Sequence, residues 1–143
     1  MKIKNLIIYY PSFESGGVEK VIKNLIKYFI SKSINIYLIT SNKENLKIIK
    51  KQKNLKIIII KKNYFRYLPS RLTSSINSVK YLYSLLRKMN NSNTIVHSMQ
   101  SNFIPIVISK ILNFKIVIRN SEDAIESIKY SEKKFFSYLI FLL

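Results

Sequence analysis

The sequence predicts an α/β fold: a Rossmann-like, doubly wound parallel sheet of about five strands in a single domain. Short apolar runs alternate strictly along the chain with longer stretches in which apolar residues recur every three or four positions. Several of the short runs are apolar without interruption, which is typical of strands buried on both faces of a parallel sheet. The chain has 143 residues, 48% of them hydrophobic, which suits one domain with a substantial core.

The first half of the chain predicts three strands and two helices. Leu6 to Tyr10 is an apolar run ended by a proline, which indicates a buried strand. Residues 18–32 predict an amphipathic helix, whose apolar face consists of Val18, Val21, Ile22, Leu25, Ile26 and Phe29. Strands are predicted at 34–39 and at 55–60, where four consecutive isoleucines favour burial on both faces. Between these two strands, the Lys-rich segment 43–53 indicates a weak helix.

The second half continues the alternation. A helix is predicted over residues 72–89, with an apolar stripe formed by Leu72, Ile76, Val79, Leu82, Leu86 and Met89. A strand over 94–97 follows, and then a helix over 103–112 that Ser101 can cap and that tolerates a proline in its first turn. The remaining predicted elements are a fifth strand at 115–118 and a helix at 130–143. This order predicts right-handed crossovers between parallel strands.

The composition excludes several classes of site. Because the chain has no Cys, disulfide scaffolds, Cys-based zinc sites and thiol catalysis are excluded. One His, at position 97, rules out a His-rich metal site and a His-based metalloprotease motif. The opening apolar run is too short for a signal peptide, and no run of 18 apolar residues is present. We therefore expect a cytoplasmic protein.

The net charge of +18 is distributed unevenly, with +16 in residues 1–93 and +2 in residues 94–143. Lys outnumbers Arg 21 to 4, which is typical of an AT-rich genome in which lysine fills solvated positions by default. The segment 43–71 nevertheless holds ten basic residues and one acid, with aromatic residues interleaved near its end. Such a segment fits a solvated helix and loop, an anionic membrane interface or single-stranded nucleic acid.

The chain has two glycines, and they are adjacent, at Gly16 and Gly17. They lie between the first predicted strand and the first predicted helix, with Glu19 in the first turn of that helix. Adjacent glycines expose backbone N–H groups at a helix N-terminus, where the helix dipole favours an anion. The spacing matches neither the dinucleotide-binding fingerprint nor the Walker loop. A tight strand-to-helix turn explains the same residues, so local chemistry leaves both interpretations open.

Polar residues follow three of the predicted strands. They are the loop 11–17, the pair His97 and Ser98, and the run Arg119, Asn120 and Ser121. Because ligands of parallel α/β sheets bind at the carboxyl ends of the strands, we expect these groups to converge at one edge. His97 is either a packed, hydrogen-bonded residue or a participant in chemistry. Arg119 can pair with a phosphate or a carboxylate.

The segment from Pro11 to Asn24, PSFESGGVEKVIKN, resembles the opening signature of family 4 glycosyltransferases of the GT-B type, which have two Rossmann domains. That signature is a strand, a loop ending in Gly-Gly-x-Glu and a helix with the same apolar register. The strand that leads to Ser98 and the strand that leads to Arg119 are similar to later strands of the family. The resemblance implies that residues 1–143 are the N-terminal, acceptor-side domain of such an enzyme, without its C-terminal donor-binding domain.

The resemblance also implies an activity, the transfer of sugar from a nucleotide-sugar to a glycan or lipid-linked acceptor in bacterial cell-envelope polysaccharide synthesis. The nucleotide-sugar is a substrate, so no cofactor and no metal are implied. A donor-binding second domain, covalent or separate, is expected to be required for activity. The implied substrate-binding residues are Gly16, Gly17, Glu19, His97, Ser98, Arg119, Asn120 and Ser121, of which His97 and Arg119 are the catalytic candidates.

Lipid-linked acceptors favour an anionic membrane, rather than nucleic acid, as the partner of the basic segment. The implied location is peripheral, on the inner face of the plasma membrane. The implied membrane face consists of Lys50, Lys51, Lys61, Lys62, Tyr64, Phe65, Arg66 and Tyr67. The alternative function is a non-catalytic, basic Rossmann-like module that binds an anionic membrane or nucleic acid.

Overall fold

Five strands and three helices are found in the computed structural model, which describes residues 2–11, 17–41, 52–61, 70–99 and 101–119. The strands are β1 (Asn5–Tyr9), β2 (Asn35–Thr40), β3 (Leu55–Ile59), β4 (Thr94–Ser98) and β5 (Lys115–Ile118). The helices are α1 (Gly17–Ser31), α2 (Ser70–Leu86) and α3 (Phe103–Ile111), and a 3-10 turn at Asn91–Asn93 precedes β4. Every strand pairing is parallel, and the order across the sheet is β3-β2-β1-β4-β5. The predicted fold class is confirmed.

The central strand β1 separates two apolar clusters. On one face, Leu6 and Ile8 pack with Ile22 and Ile26 of α1. On the other face, the alternate side chains of β1 pack with apolar residues of α2 and α3. Because side chains of a strand point alternately to the two faces, this division assigns every residue of the sheet to the α1 face or to the α2 and α3 face.

Helices α1 and α3 end without glycine. The N–H of Ile34 donates to the carbonyl of Phe29 at 3.1 Å, and the N–H of Phe114 donates to the carbonyl of Ser109 at 2.8 Å. These are the long hydrogen bonds of Schellman motifs, in which a left-handed residue ends the helix. That residue is Ser33 (φ 58°) after α1 and Asn113 (φ 56°) after α3. Serine and asparagine therefore hold helix-ending positions that glycine commonly fills.

Three predictions about packing are wrong. Strand β3 is only half-buried, not buried on both faces, because it lies at one edge of the sheet described here. Ile76 and Val79 of the predicted α2 stripe are exposed, because polar side chains of residues 73–78 occupy the buried face of the helix there. Ser101 does not cap α3: the N-cap is Asn102, and the hydroxyl of Ser101 accepts from Ser75 at 2.8 Å. The helices predicted at 43–53 and 130–143 lie essentially outside the described residues.

Candidate functional site

The parallel sheet brings the carboxyl ends of β1, β4 and β5 side by side. The sequence predicted this convergence from the polar residues that follow these strands. Tyr9 at the end of β1 is in register with Ser98 at the end of β4, and Ser98 is in register with Ile118 of β5. Arg119 follows directly, and its backbone N–H donates to the carbonyl of Ser98 at 2.9 Å. The candidate site is therefore the edge formed by these three strand ends and by the start of α1.

His97 lies on the α1 face of the sheet and is half-buried. It is in register with Ile8, which belongs to the α1 cluster, and with Val117 of β5. Arg119 is two residues beyond Val117 and so emerges on the same face as His97. Burial lowers the pKa of His97, and the positive charge of Arg119 lowers it further. His97 is consequently a neutral imidazole at pH 7, able to accept a proton or a hydrogen bond.

Arg119 carries an unsatisfied donor. Its Nη1 atom is buried and has no hydrogen-bond partner among the residues that the structure describes. A buried donor without an acceptor costs about 1–3 kcal/mol relative to a satisfied one. The backbone of Arg119 is held by the β4–β5 pairing, while one end of its guanidinium group has no partner in this part of the chain.

Ser98 is next to His97 in sequence but does not face it. Its side chain is buried on the α2 and α3 face, and its hydroxyl donates to Oδ1 of Asn102 at 2.7 Å. The strand alternation that places His97 on one face necessarily places Ser98 on the other. Its backbone carbonyl, which holds Arg119, is the part of Ser98 that contributes to the edge.

Gly17 is the first residue of α1 and is exposed. A Cβ atom built on Gly17 would meet no heavy atom within 4 Å, so packing does not require glycine there. Glu19, two residues on, is buried in the first turn and forms an ion pair with Lys23 one turn later. The remaining predicted substrate-binding residues, Gly16, Asn120 and Ser121, lie outside the described residues.

The first half of α2 contributes a group of buried polar side chains that the sequence interpretation missed. We call it the polar layer of α2, and it consists of Thr73, Ser74, Ser75, Asn77 and Ser78. The hydroxyl of Ser78 lies 2.5 Å from the hydroxyl of Tyr9 and donates to the carbonyl of Ser75 at 2.5 Å. The hydroxyl of Ser74 lies 3.4 Å from that of Ser41, which donates to the carbonyl of Pro11.

These contacts tie α2 to the ends of β1 and β2 and, through Ser101, to the residues that precede α3. Burial raises the pKa of the Tyr9 phenol, and the hydrogen bond with Ser78 opposes that effect only in part. Tyr9 therefore stays protonated and acts as a hydrogen-bonding group. The signal that could have revealed the layer is the four-residue spacing of Ser74, Ser78 and Leu82.

The predicted membrane face is represented in the described residues by Lys61, which is exposed just after β3. The other seven residues of that face lie outside the described residues. None of the described helices has the length and apolar content needed to cross a membrane. Contact with a membrane and a cytoplasmic location stay predictions. Over the described ranges, no group of three or more His, Cys, Asp or Glu side chains is positioned to hold a metal ion.

Comparison with known proteins supports the fold and does not assign the chain to a family. No protein-family model matches the chain, and no curated protein matches its sequence. A solved structure of UDP-N-acetylglucosamine 2-epimerase is similar to it, with a TM-score of 0.56 and 8% sequence identity. The similarity covers 97% of this chain and 40% of the epimerase chain, so the sequence spans less than half of that enzyme. At this identity the similarity shows a shared fold: the chain has a Rossmann-like α/β domain.

Proposed function

We propose that the chain is the N-terminal, acceptor-side domain of a GT-B glycosyltransferase. It would act on a nucleotide-sugar and transfer the sugar to a glycan or lipid-linked acceptor in cell-envelope polysaccharide synthesis. The observation that carries the proposal is the structural similarity over 97% of the chain to an enzyme that is named for a UDP-sugar. The sugar-nucleotide class is the part of the proposal that this similarity supports, and the transfer reaction comes from the resemblance of the segment 11–24.

The start of α1 suits the phosphates of a nucleotide-sugar. The N-terminus of a helix presents free N–H groups and the positive end of the helix dipole. In this chain the first residue of α1 is glycine, it is exposed, and a Cβ atom built on it would meet no heavy atom within 4 Å. Since Ser33 and Asn113 hold left-handed positions elsewhere in the chain, glycine is not simply the residue used at every turn. Room for a ligand accounts for glycine at position 17.

The edge near β4 and β5 suits the acceptor. In sugar transfer, an acceptor hydroxyl attacks the anomeric carbon, the bond to the nucleoside diphosphate breaks, and the hydroxyl proton must be taken up. The neutral imidazole of His97 is a group able to accept that proton. Arg119 beside it is able to hold an anionic part of either substrate.

Titration of the chain with UDP-N-acetylglucosamine, followed by two-dimensional amide NMR, tests the proposal. We expect the largest changes at the start of α1 and at residues 97–99 and 119. The variant Gly17→Val should weaken binding about tenfold or more, because its side chain fills the open space that a diphosphate would use. The control Asn24→Val adds the same side chain at an exposed position of α1, away from the edge.

Two results would count against the proposal. Binding that Gly17→Val leaves as tight as in the control would contradict contact between the donor and the start of α1. Amide changes confined to the amino edge of the sheet would contradict the site itself. The domain prediction is tested separately, because we expect no sugar transfer by this chain without a donor-binding domain. Efficient transfer by the 143 residues alone would disprove it.

A further inference from the structure

We propose that Arg119 and His97 together form a binding site for a phosphate group, and that phosphate binding and protonation of His97 are coupled there. The identity of the phosphate, on a nucleotide-sugar or on a lipid acceptor, rests on the proposed function. The anion site itself rests on the arrangement of the two side chains.

The first argument is the unsatisfied donor of Arg119. Its Nη1 atom is buried without an acceptor among the described residues, while its backbone N–H is held by Ser98 at 2.9 Å. A bound oxyanion would supply the missing acceptor, and its charge would make that hydrogen bond stronger than a neutral one. The β4–β5 pairing fixes the backbone of Arg119 at this edge of the sheet before any ligand arrives.

The second argument is the absence of a competing carboxylate in the described part of the chain. Glu19 is the one acidic residue in the described ranges, and it is paired with Lys23. The positive charge of Arg119 is therefore not compensated by any carboxylate in those ranges. Glu122 and Asp123 follow Arg119 closely in sequence but lie outside the described residues, so the experiment must distinguish an internal ion pair from a bound anion.

The third argument is that His97 adds a donor on the same face. Even a neutral imidazole carries one N–H, and a protonated imidazole carries two. A terminal phosphate has three free oxygens and the diphosphate of a nucleotide-sugar has four, so either can accept two hydrogen bonds from the guanidinium fork and another from His97. A carboxylate has two oxygens, which the fork alone can occupy. The pair of residues therefore favours phosphate over carboxylate.

Coupling follows from the charges. Without an anion, burial and the nearby Arg119 charge both lower the pKa of His97. A phosphate between the two side chains would place negative charge beside the imidazole and raise that pKa. By linkage, protonation of His97 must then tighten phosphate binding by the same factor. Among the described residues, Arg119 is the charged group that acts on His97.

The experiment uses the fact that the chain has one histidine. In protein without a purification tag, every imidazole NMR signal belongs to His97, so its titration can be followed directly from pH 5 to 8. Inorganic phosphate is compared with sodium chloride at matched ionic strength. We expect phosphate, but not chloride, to raise the pKa of His97.

Three arginine variants separate the site from general charge effects. In Arg119→Gln, we expect the pKa of His97 to be higher than in the native chain without phosphate, and phosphate to have no further effect. In the control Arg87→Gln, which removes an exposed arginine at the end of α2, the response to phosphate should be unchanged. Arg119→Lys keeps the charge but loses the fork, so phosphate binding should weaken about tenfold.

The proposal is overturned if phosphate leaves the titration of His97 unchanged, which is the result expected when Glu122 or Asp123 already occupies Arg119. It is also overturned if phosphate acts equally in Arg119→Gln. UDP and a short-chain isoprenyl phosphate then replace inorganic phosphate, and the one that acts at lower concentration identifies the source. If inorganic phosphate acts at Arg119 and neither of these ligands does, the anion site stands and the proposed function fails.

Discussion

Helices α1 and α2 cover opposite faces of one sheet, but they contact it with different chemistry. Helix α1 packs Ile22 and Ile26 against the strands, and both side chains are buried. Helix α2 packs Leu82 and Leu86 in its second half, whereas its first half, residues 73–78, presents mainly hydroxyl and amide groups to the interior. Ile76, the large apolar residue of that stretch, is exposed instead.

The difference between α1 and α2 follows from the groups that each helix contacts. The first half of α2 lies at the carboxyl edge, where the hydroxyls of Tyr9 and Ser41 are buried and need hydrogen-bond partners. Ser78 and Ser74 contact these hydroxyls. An apolar side chain at position 78 would leave the buried Tyr9 hydroxyl without the acceptor that Ser78 supplies, whereas the Ser41 hydroxyl would keep its bond to the carbonyl of Pro11. At the start of α1, the buried polar residue is Glu19, and a lysine on the same helix is its partner. The carboxyl edge thus demands polar partners, and α2 supplies two of them to hydroxyls that lie on or next to the strands.

The largest expected effect contrasts two isoleucines. Ile22 of α1 is 0% exposed, and Ile76 of α2 is 40% exposed. We expect Ile22→Ala to lower the free energy of unfolding by about 2–5 kcal/mol, because it leaves a cavity in the core. Ile76→Ala should lower it by less than about 1 kcal/mol, since half-exposed positions lose little packing. Urea unfolding followed by circular dichroism measures both, and equal losses would mean that Ile76 belongs to the core after all.

A smaller effect is expected at the contact between α2 and β1, where Ser78→Ala should destabilise the fold more than Tyr9→Phe. Ser78 uses its one hydroxyl proton on the carbonyl of Ser75, so Tyr9 must be the donor to Ser78. Tyr9→Phe removes that donor and should cost about 0.5–1.5 kcal/mol. Ser78→Ala leaves the buried Tyr9 hydroxyl without an acceptor and should cost about 1–3 kcal/mol. The two losses should not add, because both variants break the same hydrogen bond.

The control for this pair is Ser84→Ala, which makes the same change at an exposed position of α2. It should leave stability unchanged or raise it slightly, because alanine is the better helix former. A Ser78→Ala loss no larger than that of Tyr9→Phe would show that the Tyr9 hydroxyl finds another acceptor when Ser78 is removed.

Most of the fold was predictable because it depends on local periodicity. The strand around Leu6 to Tyr10 and the helix that buries Ile22 lie within one residue of their predicted bounds. The packing of α2 was not predictable in the same way. Its buried face follows the four-residue spacing of Ser74, Ser78 and Leu82. The two serines are buried where they contact the hydroxyls of Tyr9 and Ser41. Only the tertiary fold shows those partners.

The candidate site divides in the same manner. His97 and Arg119 are candidates from sequence because polar residues at the ends of parallel strands point to a ligand edge, and their role as site residues stays a prediction. Sequence order could not show which face of the sheet His97 lies on, nor that Arg119 has a buried donor without an acceptor among the described residues. Those features depend on how the strands and helices pack together.

The smallest expected effect is a difference between the two faces of the sheet in how they make the free energy of unfolding depend on pH. The polar layer of α2 holds no group that changes charge between pH 5 and 8, whereas His97 on the α1 face does. The pKa of His97 is lowered in the folded chain, first by burial and then by Arg119, so the unfolded chain binds a proton more readily. The contribution of His97 to the free energy of unfolding should therefore be at its maximum above about pH 6.5. It should fall as the pH drops below that value toward the lower pKa of the folded state. Urea unfolding at pH 7.5 and pH 5.2 measures the loss while most carboxylates remain ionised. His97→Gln should remove this loss and Arg119→Gln should reduce it; an unchanged pH dependence in His97→Gln would assign it to other groups.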